Sequence, residues 1–392
     1  MAARAAQYAA AALLLAGCGE EALGGAPGGR STGAGPESPA STVEEPAPPP
    51  SAPDFEVLAG GRGHDALNPS LGGDLLAYID LADDENGACY RPRGEDPDCV
   101  VAIVAKDLAT GQQKVLEEGL GALVHPVVAG DSAVSWLDPR DGQIHLYSFA
   151  SGEGRVISVN PWSQGPPRAG GGSIGWVNRF HQDRGIIVWD LADARRRVVR
   201  IDDRLQPGQP ALPTLAVRGL KVVVLRQHQR DDGSWGRDLW FGDAADDAPP
   251  EGSWITQDPA EDGFPYAPAL AGDAVLHKAW FPSEEGCGIQ DCEHAVFARP
   301  IPADGVRRLS PDGARPSATT GIAQGGGHAA WLEVDGPFYR AVALKLSTGE
   351  IVARSPEGSM PVATSPPTVT STRLAWTDAS SGRPVIASIP IR

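Results

Sequence analysis

Basic side chains are scarce: 33 Lys and Arg stand against 50 Asp and Glu, a formal net charge of −17. Phosphate backbones need a basic face, so nucleic acid is excluded as the expected partner. Cysteine occurs five times and Met twice, with no Cys-x-x-Cys and no His-Glu-x-x-His, so the commonest zinc spacings are missing. What abounds is Gly (48) and Pro (36), about a fifth of the 392 residues. Usual usage is roughly 12%. That excess rules out a helical bundle and favours a turn-rich all-β architecture. The length leaves room for one large domain or two ordinary ones, and for a sizeable core.

The start of the chain is an address. Residues 1–17 carry one positive charge, Arg4, then an Ala/Leu-rich run that ends in small residues before Cys18. That pattern describes a secretory signal, and its apolar run of about ten residues is too short to span a bilayer. Leu15-Ala16-Gly17-Cys18 resembles the bacterial lipobox, which implies acylation of Cys18. Each buried acyl CH₂ contributes roughly 0.8 kcal/mol, so a multiply acylated Cys18 holds the protein on a membrane. Gly19 rather than Asp after the Cys points to the outer membrane by the enterobacterial sorting rule. Residues 18–54 hold Gly, Pro, Ser, Ala, Thr and Glu with almost no bulky apolar side chain, the composition of a disordered tether.

From Phe55 onward the chain repeats itself. A Pro leads to a Gly or Gly-Asp turn and an alternating run that ends on a large residue. Pro69 leads to Gly73-Asp74 and Tyr78, Pro126 to Gly130-Asp131 and Trp136, and Pro167 to Gly172 and Trp176. Pro268 leads to Gly272-Asp273 and His277, and Pro367 to Trp376, while Trp331 marks the sixth unit without the Pro in register. A second strand, a turn such as Asp107-Leu108-Ala109-Thr110-Gly111 and a short last strand complete each unit. Six units are complete and the seventh stops at three strands. Residues 55–59 provide a spare strand at the other end. Placed as the outer strand of the last unit, it closes the ring and satisfies an open edge. The expected fold over residues 55–392 is a seven-bladed β-propeller of four-stranded blades.

The repeat resembles that of the TolB family propeller, most clearly in Val127-Val128-Ala129-Gly130-Asp131 to Trp136 followed by Leu146-Tyr147-Ser148. The resemblance covers residues 55–392 and implies the fold; propellers of this kind serve many roles. The chain departs from TolB in having only the tether before its first blade, so that family's partners are not carried over.

Four cysteines besides Cys18 are an even number in an exported protein, which favours disulfides. Cys89–Cys99 and Cys287–Cys292 are the preferred pairs, each inside one loop between the second and third strands of a blade. Those loops share a face with the connections between blades and carry most of the excess length: residues 79–99, 178–185, 227–237 and 278–294. Trp162, Trp235, Phe264 and Tyr266 fall on this face outside the repeat, and are the candidate contacts for a protein or glycan.

Chemistry is sparse. Gly171-Gly172-Ser173-Ile174-Gly175 matches the hydrolase elbow pattern, but no helix is expected after Ser173. Asp83-Asp84-Glu85-Asn86-Gly87 resembles part of a calcium loop without its first ligand or its closing Glu. His64 and His125 each precede the first strand of a blade and are weak candidates for a transition metal at the channel mouth. His277 reads as a core His, the repeating Trp as blade packing, and Arg195-Arg196-Arg197 as a solvated turn on the opposite face. No catalytic set and no bound cofactor are expected. The expected role is a lipid-anchored, monomeric binding or scaffolding module at the cell envelope. The alternative is a metal-dependent polysaccharide lyase or hydrolase acting at the channel mouth.

Overall fold

The computed structural model describes residues 54–61, 63–82, 100–120, 124–158, 165–178, 185–200, 215–229, 235–244, 253–256, 263–281, 292–301 and 305–391. The expected signal, Cys18, the tether, Trp162 and the acidic loop at 83–87 lie outside them, as do Cys89, Cys99 and Cys287. The chain divides into two units by its internal contacts. The one that carries all the strands described below spans Ala52–Pro207 and Leu212–Arg392.

Strand β1 (Glu56–Ala59) comes first, and the blades follow in chain order. Blade one is β2 (His64–Gly72), β3 (Leu75–Ala82), β4 (Val100–Asp107) and β5 (Gln113–Glu118). Blade two is β6 (Val127–Ala129), β7 (Ala133–Asp138), β8 (Gln143–Ser148) and β9 (Glu153–Val156). Blade three is β10 (Arg168–Gly170), β11 (Ser173–Asn178), β12 (Gly185–Asp190) and β13 (Arg195–Arg200). Blade four is β14 (Leu215–Arg218), β15 (Lys221–Gln229), β16 (Trp235–Asp243) and β17 (Ser253–Trp254). Blade five is β18 (Phe264–Ala271), β19 (Ala274–Phe281), β20 (Glu293–Pro300) and β21 (Arg307–Arg308). Blade six is β22 (Ala323–Gly325), β23 (His328–Asp335), β24 (Phe338–Lys345) and β25 (Glu350–Arg354). Blade seven is β26 (Thr368–Val369), β27 (Arg373–Asp378) and β28 (Val385–Pro390), with β1 as its outer strand.

Each blade is an antiparallel four-stranded meander, and the innermost strands touch in the cyclic order β2, β6, β10, β14, β18, β22, β26 and back to β2. Closure is as the spare strand implies: β1 pairs antiparallel with β28, Glu56 opposite Ser388 and Val57 opposite Ala387. The seven-bladed propeller is therefore the fold.

Strand periodicity explains the packing. Successive side chains point to opposite faces, so each blade feeds two interfaces. In β3, Tyr78 and Leu76 join Ala375 and Ile386 of blade seven, while Ala77 and Ile79 join Trp136 and Val134 of blade two. Trp176 packs on Ile144 and Leu146 of blade two, Trp331 on Leu276 and Val296 of blade five, and Trp376 on Leu332 and Ala341 of blade six. The repeating aromatic thus faces the blade before it. Both faces of every blade are covered, which is why the second strands read as nearly continuous apolar runs.

Three glycines let adjacent inner strands come together. A Cβ on Gly72 would lie 1.8 Å from the Gly130 carbonyl oxygen, one on Gly170 2.3 Å from that of Val217, and one on Gly325 2.1 Å from that of Val369. The repeat keeps Gly at these turns because a side chain would collide with the neighbouring backbone.

Three local expectations change. Arg195, Arg196 and Arg197 lie in β13, not in a turn, because the outer strand pairs with β12 through Asp190 opposite Arg195. Phe264 and Tyr266 belong to β18 rather than to a connection. A bulge at Ala267, with φ of 47°, lets the strand continue back past Pro268 to pair Phe264 with Trp280. Trp235 begins β16 opposite Gln229, so the blade-four loop is shorter than residues 227–237. Elsewhere, His277 is fully buried and stacks on Phe297. Ser173 is buried within β11 and followed by strand pairing, as expected of a residue that is no nucleophile.

Candidate functional site

The turns between first and second strands are short, as at Gly73-Asp74 and Gly272-Asp273, whereas β3 and β4 are separated by residues 83–99 and β19 and β20 by 282–292. The second strands end on this loop-bearing face, and the inner strands begin on it. Its polar side chains come from those strand ends.

A signal that motif searching missed is the residue two places after the repeating aromatic: Asp80, Asp138, Asn178, Glu333 and Asp378. In blades six and seven the Trp donates back to it, Trp331 Nε1 to Glu333 Oε1 at 3.2 Å and Trp376 Nε1 to Asp378 Oδ2 at 2.9 Å. Burial raises the Glu333 carboxyl above its ordinary range despite the Trp331 bond. Asp378 also accepts from the backbone N–H of Met360 at 3.0 Å and from Ser380, so it pins the strand end to the inter-blade connection. These residues knit the face.

Blade two departs from this pattern. Asp138 is turned to Arg140, whose Nη2 lies 2.6 Å from Asp138 Oδ2 and 2.5 Å from Glu117 Oε1. Burial acts to raise the Asp138 carboxyl, but the hydrogen bonds and charge of Arg140 outweigh it and the net shift is downward. His145 completes the group, with Nε2 2.9 Å from Asp141 Oδ2 and its ring stacked on Trp136 at 5.6 Å. The buried Trp136 Nε1 has no hydrogen-bond partner among the described residues. Glu117, Asp138 and His145 are the one group among the described residues with three ligand atoms close enough for a metal ion. It comes from β5, β7 and β8, outward from the channel, so no sequence spacing announces it.

His64 and His125 do not join in such a group. His64 Nδ1 pairs with Asp80 Oδ2 at 3.0 Å. Burial lifts the Asp80 carboxyl more than His64 lowers it. Asp65, the next residue, is held by Arg383 Nε at 2.9 Å. His125 lies just before β6, and Arg168 opens the adjacent inner strand β10. Both side chains are exposed to solvent, although neighbouring protein partly desolvates them. This desolvation, then the charge of Arg168, pushes His125 down to about 4. Desolvation alone lowers Arg168.

On blade five, Phe264 stacks on Trp280 with ring centroids 4.5 Å apart, and Tyr266 Oη lies 2.9 Å from His294 Nδ1. Both aromatics are half-buried, and burial raises the Tyr266 hydroxyl. Beneath them Lys278 is fully buried and donates from Nζ to the carbonyls of Ser317 and Thr320, each at 2.8 Å. Its pKa falls to about 7 through desolvation. It replaces an apolar residue of the repeat (Ile79, Leu137, Leu332) and fastens the link to blade six. Cys292 is buried and disulfide-bonded.

No protein-family model matches the chain, and no curated protein matches its sequence. Solved structures do. The β-propeller domain of the Trilobed protease from Pyrococcus furiosus is similar at a TM-score of 0.56 and 9% identity, covering 84% of this chain and 93% of that one. Oligogalacturonate lyase from Vibrio parahaemolyticus is similar at 0.55 and 12%, covering 86% and 94%. TolB from Acinetobacter baumannii is similar at 0.45 and 12%, covering 75% and 64%. The protease domain is described as having an open velcro topology, whereas β1 closes the ring here. At these identities the likeness is one of fold, and the chain itself is a seven-bladed β-propeller.

Proposed function

We propose that the chain is an exported, lipid-anchored envelope protein whose propeller binds a protein or glycan partner through its loop-bearing face. The supports are the lipobox-like Leu15-Ala16-Gly17-Cys18, the tether at 18–54 and the asymmetry of the two faces. The asymmetry carries the reading. On one side the first-to-second-strand turns are two or three residues long, while the other side carries the longest connections, such as residues 83–99 and 282–292, and so concentrates adaptable surface around one channel mouth, where propellers and other rigid scaffolds display recognition loops.

The test is site-specific photo-crosslinking in the envelope. A crosslinker at Glu293, exposed where β20 starts on the loop-bearing face, is expected to give discrete adducts. One at Asp273, in the β18–β19 turn of the opposite face, is expected to give none. Equal adducts from both positions, or none from either, would overturn the binding role. Metabolic labelling with palmitate, lost in Cys18→Ser together with membrane retention, tests the anchor, and density fractionation tests the outer membrane.

The second reading is a metal-dependent lyase or hydrolase. The observation in its favour is the Glu117, Asp138 and His145 group. A divalent transition metal there would act on an incoming substrate as a Lewis acid, but Arg140 already neutralises both carboxylates. Metal analysis of protein purified without chelator separates the readings. One equivalent of metal, lost in His145→Ala, would put the enzyme ahead.

A further inference from the structure

We propose that the blade-two knot is an exchange site, in which a divalent transition metal and the guanidinium of Arg140 are alternative occupants of Glu117, Asp138 and His145. The inference uses the residues of the second reading above but needs neither a substrate nor a partner.

The first observation is geometric. One ligand atom from each of Glu117, Asp138 and His145 lies within 4.8 Å of the other two. Arg140 Nη2 sits between the carboxylates, 2.5 Å from Glu117 Oε1 and 2.6 Å from Asp138 Oδ2, and His145 Nε2 lies 3.9 Å from the same Asp138 oxygen. Metal bonds of about 2.0–2.2 Å hold neighbouring ligand atoms about 3.4 Å apart, so the three need to close by roughly 1 Å. One imidazole and two carboxylates suit Zn²⁺ or another first-row dication.

The second observation is an orphaned donor. In blades six and seven the repeating Trp donates from Nε1 to the carboxylate two places on. Trp136 and Asp138 stand in that relation and are 3% and 2% exposed, yet Trp136 Nε1 has no hydrogen-bond partner among the described residues. Arg140 holds both oxygens of Asp138 instead. A buried N–H without an acceptor is costly. Release of Arg140 frees Asp138 to accept from Trp136 through one oxygen and to hold a metal through the other.

The third is a way out. The Arg140 side chain is 45% exposed, against 27% for Glu117, 19% for His145 and 2% for Asp138, so the guanidinium can swing into solvent while its acceptors stay in place. It brings one positive charge to two carboxylates, and Asp141 adds a third 2.9 Å from His145. A dication brings two. Glu117 belongs to blade one and the other residues to blade two. A bound ion therefore staples the two blades and turns Arg140 outward.

Isothermal titration of the full chain, freed of metal by chelator, with zinc chloride tests the exchange. Weak binding to the parent is expected, tightened at least tenfold in Arg140→Ala, where the competing guanidinium is gone, and lost when His145→Ala is added. Arg140→Gln repeats the test independently of whether the alanine variant folds. Affinity that either Arg140 variant leaves unchanged or weakens, binding that survives His145→Ala, or no zinc binding by any variant overturns the inference. Glu293 crosslinking run in parallel keeps the two ideas apart. Adducts without zinc binding sink only the exchange site; zinc binding without adducts sinks only the macromolecular partner.

Discussion

Arg373 of β27 grips the carboxylate of Glu56 of β1 and also donates to Ser388 Oγ of the intervening strand at 2.9 Å. The seam between the first and last strands is therefore held by side chains as well as by the ladder. Leu58 is buried beneath it with Ala375 and Ile386, whereas Val57 is half exposed. Leu58→Asp places an unpaired carboxylate in that core and is expected to cost about 3 kcal/mol or more. Val57→Asp is expected to change stability by less than about 1 kcal/mol. Urea unfolding of the two variants checks the contrast; equal losses would mean the seam does not hold the ring.

The close approach of blades one and two gives a second prediction. Gly72→Ala drives a methyl into the Gly130 carbonyl, and the backbone must move. A loss of about 2–3 kcal/mol is expected, in the range of overpacked cores. Gly154→Ala, whose methyl meets nothing nearer than 3.8 Å, is expected to be neutral or slightly stabilising. Thermal melts of both variants decide it.

His277 gives a third. Its two ring nitrogens are buried with no hydrogen-bond partner among the described residues, and burial followed by the charge of Arg299 pushes its pKa down to about 3. Because the unfolded ring binds a proton at higher pH than the folded one, stability falls as pH drops through about 6.5 toward 3. His277→Phe restores the apolar character of the repeating position and removes both orphaned atoms. It is expected to stabilise by about 1–2 kcal/mol at pH 7 and by more at pH 5. Denaturant curves at the two pH values check the sign; an equal gain at both would refute the titration argument.

The ion-pair knot of blade two predicts the reverse trend for Arg140→Ala. The net lowering of the Asp138 carboxyl stabilises the fold above the ordinary carboxylate range and fades as pH falls through the lowered value. The variant is expected to be less stable than the parent at pH 7, with the gap narrowing toward pH 3. Paired melts measure the gap.

The ring was legible because its signals are periodic. Pro126, Gly130 and Trp136 recur in step with Pro167, Gly172 and Trp176, and a three-stranded remainder with a spare strand has one closed arrangement. The site was less legible because its residues meet only through the third dimension. Glu117, Asp138 and His145 come from three strands. Phe264 and Tyr266 stood out as aromatics beyond the repeat. A bulge at Ala267, which no composition betrays, draws them into β18.

The pairing of β1 with β28 also imposes an order of events. Synthesis delivers the chain from its amino-terminal side, so β1 emerges before any blade and its partner β28 only after blades one to six. Blades one to six complete themselves from consecutive strands, while β1 waits with an unpaired edge until Val385–Pro390 has appeared. Closing the ring thus waits on the joining of the propeller's first and last strands. A ribosome that still holds Val385–Pro390 holds the ring open.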